Sequence, residues 1–486
     1  MQRINIYSAT VGDLQSLAMK AGRIRLKNNE LYVRPHRSGN LVNRAVESLV
    51  GLTTTKRQVL LTAMQSICAR QGVNFDAAMK DGLGKDAWAR VESGKGDLKA
   101  DHISKALDRF TQLSDNRVIE IGDVIGKGGA GRVKRARFHN DGQTYALKEV
   151  LENKCDAPGL KEKRLEVQRR EVVAHQIAAR TRIPGCEVSY VVDTQGLVNY
   201  VPTGDTYQVM SLGLASGDMG INKDKMAALN SEINRTNASL VQRGEDVLDE
   251  AGRRRIKEAG VKPGFDVFAA HCADPTSKLS VLDWTNGLRQ IHLAGIAHRD
   301  IKPENYLLSS KGVWQLTDFG VAGAENSRFY SAAEEITPYA TGNGNDWQKA
   351  PEWLVSESKQ GSGYYEVGHK ADVFSLGVAV FRHLTGGRLP FEGPPEIWSS
   401  TVHTAHYVDR VISYANSDLN LTFSDWYKQD TDVEIPKEWQ NFFNMTLCPD
   451  PAQRASAEQL AQLEIFQGLQ ANESDLRNEL LTRAGH

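Results

Sequence analysis

The chain has 486 residues, 40% apolar and 24% charged, the make-up of a globular protein with room for two or three domains. Lys plus Arg number 59 and Asp plus Glu 60, so the overall balance gives no sign of a polyanionic partner. Five scattered cysteines without a C-x-x-C pair exclude the usual zinc spacings and a disulfide framework, and imply a reducing compartment.

No run approaches the ~18 apolar residues of a membrane span, so no transmembrane segment is expected. Met1-Gln2-Arg3-Ile4-Asn5 lacks a secretory signal's apolar stretch, and the expected setting is cytoplasmic. Charge is unevenly placed: residues 1–117 carry 19 basic and 11 acidic side chains, the remainder 40 and 49. Residues 1–37 show weak periodicity. Residues 41–50 read as a helix ended by Gly51. A second helix follows a Thr53-Thr54-Thr55 cap, with Val59, Leu60, Ala63, Met64, Ile67 and Cys68 at helical spacing, and closes at Gly72. Glycines and charges through 81–99 read as loops, and 103–113 as a short helix. Residues 1–117 are therefore expected to form a small, mostly helical N-terminal domain. From Val118 the pattern turns β-rich, at 118–125, 131–138 and 143–150, and beyond about residue 278 helical patterns dominate. That order gives an α+β, two-lobed body.

Gly126-Lys127-Gly128-Gly129-Ala130-Gly131-Arg132-Val133 fits G-x-G-x-x-G-x-V. Glycines let backbone N–H groups approach phosphate oxygens, since no Cβ blocks the way. Alone the pattern fits a flexible hairpin at least as well. A dinucleotide-binding turn would need a helix next, and a strand follows instead. Lys148 stands fifteen residues beyond Val133, at the end of Tyr145-Ala146-Leu147-Lys148, where its ammonium can meet nucleotide phosphates. Such a lysine needs a carboxylate to hold it. Glu171 is the best candidate and Glu166 the runner-up, although one glutamate on so charged a helix is more often a solvated residue.

His298-Arg299-Asp300-Ile301-Lys302-Pro303-Glu304-Asn305 reads H-R-D-x-K-x-x-N. Thr317-Asp318-Phe319-Gly320 follows, then Ala350-Pro351-Glu352, Asp372-Val373-Phe374-Ser375-Leu376-Gly377 and Asp450-Pro451-Ala452-Gln453-Arg454. In this order the set resembles the motifs of eukaryotic-like protein kinases, in particular the serine/threonine type. The resemblance implies a bilobal protein-kinase fold over 118–468, with a β-rich N-lobe (118–212), a helical C-lobe (213–468) and a C-terminal tail (469–486). It implies ATP and Mg²⁺ as cofactors, with Mn²⁺ as a substitute, and a protein substrate. Asp300 would be the catalytic base, Lys302 would reach the γ-phosphate, Lys148 with Glu171 would clamp phosphates, and Asn305 and Asp318 would hold the metal. Adenine would lie between Val133 and Ala146 on one side and Leu307 on the other. Met210 and Leu212 would stand at the hinge, with Asp218 toward the ribose. Asp372 would anchor the catalytic loop, and Glu352 would pair with Arg454.

Two stretches depart from the family pattern. A charged helical insertion at about 220–275 includes Arg253-Arg254-Arg255; no aromatics interleave with the triplet, so nucleic acid is not expected there. It reads as a solvated excursion or a docking surface. The activation segment ends in Thr341-Gly342-Asn343-Gly344-Asn345-Asp346-Trp347, unlike the family's usual approach to Ala-Pro-Glu. Ser327, Tyr330, Ser331, Thr337 and Thr341 are candidate phosphosites, and Glu334-Glu335 offers an electrostatic substitute for phosphate. The leading expectation is an active kinase. A pseudokinase scaffold recruiting partners, or nucleotidyl transfer on the same fold, stands as the alternative. The N-terminal domain is a candidate site for a partner or chaperone. In overall character the chain looks like bacterial effector kinases, which would enter a host cell without a cleaved signal peptide.

Overall fold

The computed structural model describes residues 3–19, 23–34, 54–93, 95, 98–108, 110–112, 117–128, 131–138, 143–150, 160–199, 206–218, 265–325, 328–330, 346–360, 364–366, 368–392, 403–417 and 421–486. The chain divides into two compact units, residues 1–153 with 195–212 and residues 154–194 with 213–486.

The first unit opens with β1 (Arg3–Asn5), α1 (Val11–Ala18), β2 (Arg23–Lys27) and β3 (Glu30–Arg34). The strands form an antiparallel sheet in the order β1-β3-β2, burying Ile4, Ile24, Leu31 and Val33. Elements of three to eight residues are too short to show periodicity. α1 is nonetheless set by a capping box, in which the Thr10 hydroxyl accepts from Asp13 N and the Asp13 carboxylate accepts from Thr10 N. α2 (Thr54–Ala69) is the expected helix, with Leu60, Ala63, Met64, Ile67 and Cys68 buried. Val59 is 54% exposed and lies off the buried stripe. The helix expected at 41–50 lies outside the described residues.

Where loops were expected at 81–99, the chain continues α3 (Phe75–Leu83) and turns into α4 (Lys85–Glu92). Gly82 marks close packing: a Cβ there would stand 2.7 Å from the Ala106 Cα. Gly84, at φ +85°, makes the joint between the two helices. The helix expected at 103–113 runs instead over α5 (Ala100–Leu107) and gives way to β4 (Phe110–Gln112). The N-terminal part thus combines helices with strands, and β4 extends a six-stranded sheet in the order β4-β5-β6-β7-β9-β8. Its other members are β5 (Val118–Gly128), β6 (Gly131–Phe138), β7 (Thr144–Val150), β8 (Thr194–Asn199) and β9 (Thr206–Ser211). Ile119, Phe138, Tyr145, Leu147, Tyr207 and Val209 pack together as a core.

The second unit holds α6 (Leu160–Arg180), β10 (Ala215–Ser216), α7 (Phe265–Ala273) and α8 (Pro275–Leu293). β11 (Ile296–Ala297), β12 (Tyr306–Leu308), β13 (Trp314–Leu316), β14 (Gly323–Ala324) and β15 (Arg328–Tyr330) follow. Then come α9 (Pro351–Gln360), β16 (Tyr364–Glu366), α10 (His369–Leu384), α11 (His403–Ala415), α12 (Phe423–Thr431), α13 (Lys437–Thr446), α14 (Ala457–Ala461) and α15 (Glu473–Arg483). Helices α8 and α10 run through the core. The Asp274 carboxylate caps α8 by accepting from Thr276 N at 3.0 Å, and Pro275 occupies its first turn. In α10, Gly377 lets α13 approach, since a Cβ would meet Thr446 Oγ1 at 2.6 Å. Of the expected insertion, residues 219–264 lie outside the described set; α7 forms its end. The expected tail contains α15. Among the described residues no helix is long and apolar enough to cross a membrane.

Candidate active site

In the second unit the loop joining β11 to β12 is suspended from one buried carboxylate. Asp372, in the first turn of α10, accepts from His298 N and Arg299 N at 2.7 Å each, and His292 Nε2 lies 3.2 Å from its Oδ2. Burial alone would raise this carboxyl; the hydrogen bonds and the neighbouring histidines outweigh it and hold it below the usual range. The anchor supports a tight backbone, with Arg299 at φ +67°.

Downstream, Asp300 Oδ2 accepts from Lys302 Nζ at 2.6 Å and from Asn305 Nδ2 at 3.0 Å, and Asn305 Nδ2 also reaches the Asp300 carbonyl at 2.7 Å. Asp300 Oδ1 is buried and has no hydrogen-bond partner among the described residues. Burial, aided by the nearby Asp318 charge, pushes the Asp300 carboxyl up against the opposing pull of Lys302 and His298. Thr317 N donates to the Asn305 carbonyl at 2.9 Å, which brings the start of Thr317-Asp318-Phe319-Gly320 beside the loop.

Asp318 also has a positive φ, +66°. A Cβ on Gly320 would lie 3.5 Å from Asp318 Oδ1 and 3.7 Å from Glu171 Oε2, so the Glu171 carboxylate comes close to this turn. Glu171 is buried, whereas Glu166, the runner-up, is exposed and pairs with Arg170 at 3.2 Å. One helical turn beyond Glu171, His175 stacks on Phe319, and His298 meets Phe319 edge-on at 5.0 Å. Neither histidine contact was read from sequence, although the i,i+4 spacing of Glu171 and His175 on one helix face was there to find.

In the first unit, strand pairing sets Val133 opposite Lys148 and Lys148 opposite Gln208, with Ala146 opposite Met210. Paired residues share a face, so Val133, Ala146, Lys148 and Met210 lie together on the side opposite the Leu147 and Val209 core. The glycine segment closes as a hairpin: Gly126 pairs with Val133, Lys127 with Arg132 and Gly128 with Gly131. Gly129 and Ala130 lie outside the described residues. Leu212 ends this unit.

Back in the second unit, Leu214 N and Gly217 N donate to the Leu308 and Tyr306 carbonyls, both at 2.7 Å. Side chains would not fit there. A Cβ on Gly213 would stand 2.7 Å from the Leu307 Cβ, and one on Gly217 would stand 2.5 Å from the Pro303 carbonyl oxygen. Asp218 follows, partly buried. Farther off, Arg454 grips Glu352 through two hydrogen bonds of 2.8 and 3.0 Å.

A carboxylate, a lysine and an asparagine thus meet on one loop, beside an Asp-Phe-Gly turn. Residues 269–466 match the family described as the protein kinase domain. The chain is 30% identical over 280 residues to CBL-interacting protein kinase 22 of Oryza sativa subsp. japonica, covering 56% of this chain and 49% of the relative. A Dictyostelium discoideum protein named as a probable serine/threonine-protein kinase is 24% identical over 371 residues, 75% of this chain and 55% of its own. Serine/threonine-protein kinase CHK1 of Saccharomyces cerevisiae is 31% identical over 176 residues, 36% of this chain and 28% of its own. Residues 269–466 are thus a protein kinase domain, and relatives that the chain is similar to are named as serine/threonine-protein kinases. It spans about half the length of the first two relatives.

Proposed function

We infer that this chain is a protein kinase that transfers the γ-phosphate of ATP to serine or threonine hydroxyls of protein substrates, with a catalytic domain from Val118 to about residue 468. The observation that carries the reading is Asp300 Oδ1, a buried oxygen without a partner among the described residues, on a carboxylate whose other oxygen is fixed by Lys302 and Asn305. Oδ1 is the atom that takes or orients the proton of the incoming hydroxyl. Burial raises the affinity of that carboxyl for the proton. Lys302 holds the base in place and supplies positive charge beside it.

The donor set fits Mg²⁺. Asn305 commits Nδ2 to Asp300 and so offers Oδ1, and Asp318 offers a carboxylate; both are hard oxygen ligands. When bound, the metal neutralises phosphate charge. Val133, Ala146 and Met210 supply an apolar sheet face for adenine, and the backbone of Gly126, Gly128 and Gly131 with Lys148 serves the phosphates. Lys148 and Glu171 belong to different units, and their pairing is part of the proposal.

A labelled-ATP assay with Mg²⁺ tests the reading, comparing wild type with Asp300→Ala, Lys148→Ala and Asp318→Ala. Each change is expected to cost at least about a hundredfold in rate. Phosphoamino acid analysis should return serine or threonine, and product mass should rise by about 80 per event, not by a nucleotidyl group. Three variants as active as wild type would overturn the assignment.

A further inference from the structure

The geometry points to Arg477, on α15 beyond the matched kinase region, as a positioning residue for phosphoryl transfer; this rests on the proposed kinase activity. Its guanidinium fastens the closed end of the β12–β13 hairpin. Nη1 donates to Asp283 Oδ2 at 2.9 Å and to the Gly312 carbonyl at 3.0 Å, Nη2 donates to Asp283 Oδ1 at 3.2 Å, and Nε donates to Glu473 at 2.8 Å. Asp283, almost fully buried on α8, accepts in addition from Trp314 N, the first residue of β13, at 3.0 Å. The packing leaves no slack: Gly312 sits in the turn at φ +70°, and a Cβ there would stand 2.7 Å from the Arg477 carbonyl oxygen.

The open end of the same hairpin carries the chemistry. Asn305 immediately precedes β12, and Thr317-Asp318 immediately follow β13. Three residue pairs, Tyr306 with Leu316, Leu307 with Gln315 and Leu308 with Trp314, connect the two ends. A hairpin this short does not hold its register alone and takes it from what packs on it. Arg477 fixes two of those supports at once, the turn carbonyl and the carboxylate that accepts from Trp314 N. Without it, Asp283 is left as a buried carboxylate lacking its counter-charge, and it either takes up a proton or draws the turn toward water. Both outcomes loosen β13 and with it the spacing of Asn305 and Asp318.

Arg483 on the same helix is the control. It pairs with Asp274 at 2.6 Å, its side chain is 43% exposed, and it makes no described bond to the hairpin. The test uses the full chain with Arg477→Ala, Arg477→Lys and Arg483→Ala, at a temperature where circular dichroism shows each folded. Hydrogen exchange of the 306–316 peptide, without nucleotide, is expected to quicken about tenfold or more in Arg477→Ala. The kcat per folded molecule should fall about tenfold, and the Mg²⁺ concentration for half-maximal rate should rise several-fold. Arg477→Lys should lie between, since an ammonium cannot make the two-pronged contact. Arg483→Ala should move neither exchange nor kcat. The inference is overturned if both Arg477 variants lower the melting temperature yet keep wild-type exchange and kcat. If wild type transfers no phosphate the kinase reading fails instead, and the exchange measurement still decides whether Arg477 fastens the hairpin.

Discussion

Phe319 lies against His175 with ring centroids 4.7 Å apart and planes only 24° from parallel. This stack ties α6, which carries Glu171, to the turn that carries Asp318. His175 is held for the task, its Nε2 lying 2.7 Å from the Val192 carbonyl. His175→Ala removes the stack, leaves a void under Phe319 and strips a buried carbonyl of its partner. The expected cost is about 2–4 kcal/mol in denaturant unfolding. The rate per folded molecule should drop about tenfold as Asp318 loses its support. An unchanged rate in the folded variant would show that the stack serves stability alone.

Asp372 anchors the loop that carries Asp300, Lys302 and Asn305. Asp372→Asn keeps the volume but turns one acceptor into a donor facing a backbone N–H. Stability should fall by about 2–4 kcal/mol. Since His298 and Arg299 lead directly into Asp300, the kcat should fall at least about a hundredfold while much of the nucleotide affinity, measured by titration, survives.

The motif residues were legible in sequence because chemistry restricts their types and the chain sets their spacing: Asp300, Lys302 and Asn305 meet within six residues, and Thr317 lies against Asn305 through one backbone bond. Strands β5 to β7 were legible because each is long enough to alternate. The N-terminal region was harder. Gly82 and Gly84 look like loop punctuation, yet one permits close helix packing and the other joins two helices. Contacts that need the tertiary fold, such as His175 with Phe319 or Arg477 with Asp283, join residues 144 and 194 positions apart and leave no local trace.

Acid should unfold this protein through its histidines. His369 and His383 are both pushed down from the ordinary 6.5 to about 4, chiefly by burial, with His292 and His271 as the next causes. The unfolded chain takes up protons below pH 6.5 that the folded protein refuses until about pH 4. Stability is therefore complete at neutral pH and is lost as the pH falls through that window. His383 contributes up to about 3 kcal/mol, and His369, less deeply buried and 3.1 Å from the Glu325 carboxylate, contributes less. Asp372, held low in the folded state, adds in the same direction below the unfolded carboxylate range. Denaturant midpoints from pH 7 to 4 check this, and replacing His383 with a residue that cannot titrate should flatten the slope.

The acid limb of catalysis should reflect a different group. As the proposed base Asp300 would act only when ionised, and its carboxyl is raised by burial and by Asp318, so kcat should begin to fall at a pH above that of an ordinary aspartate. Asp318→Asn removes one raising charge, and although it lowers the rate greatly, the residual activity should show its acid limb shifted downward. A limb that stays in place would assign it to another group.

Glu352 and Arg454 differ in surroundings, and that difference orders their variants. Arg454 is fully buried and donates to the Glu352 carboxylate and to the carbonyls of Cys448, Pro449 and Lys370, with its guanidinium over the Phe374 ring at 5.1 Å. The Glu352 side chain is 31% exposed, so water replaces part of what it loses. Glu352→Gln keeps an acceptor and should cost about 1–2 kcal/mol. Arg454→Lys keeps the charge but loses the fork and most of the carbonyl contacts, and should cost more. Arg454→Ala leaves three carbonyls and a carboxylate around an empty volume, at about 3–5 kcal/mol. Urea unfolding of the three variants gives the order directly. A glutamate variant less stable than the arginine-to-alanine variant would mean that the carboxylate, not the guanidinium, holds this corner of the fold together.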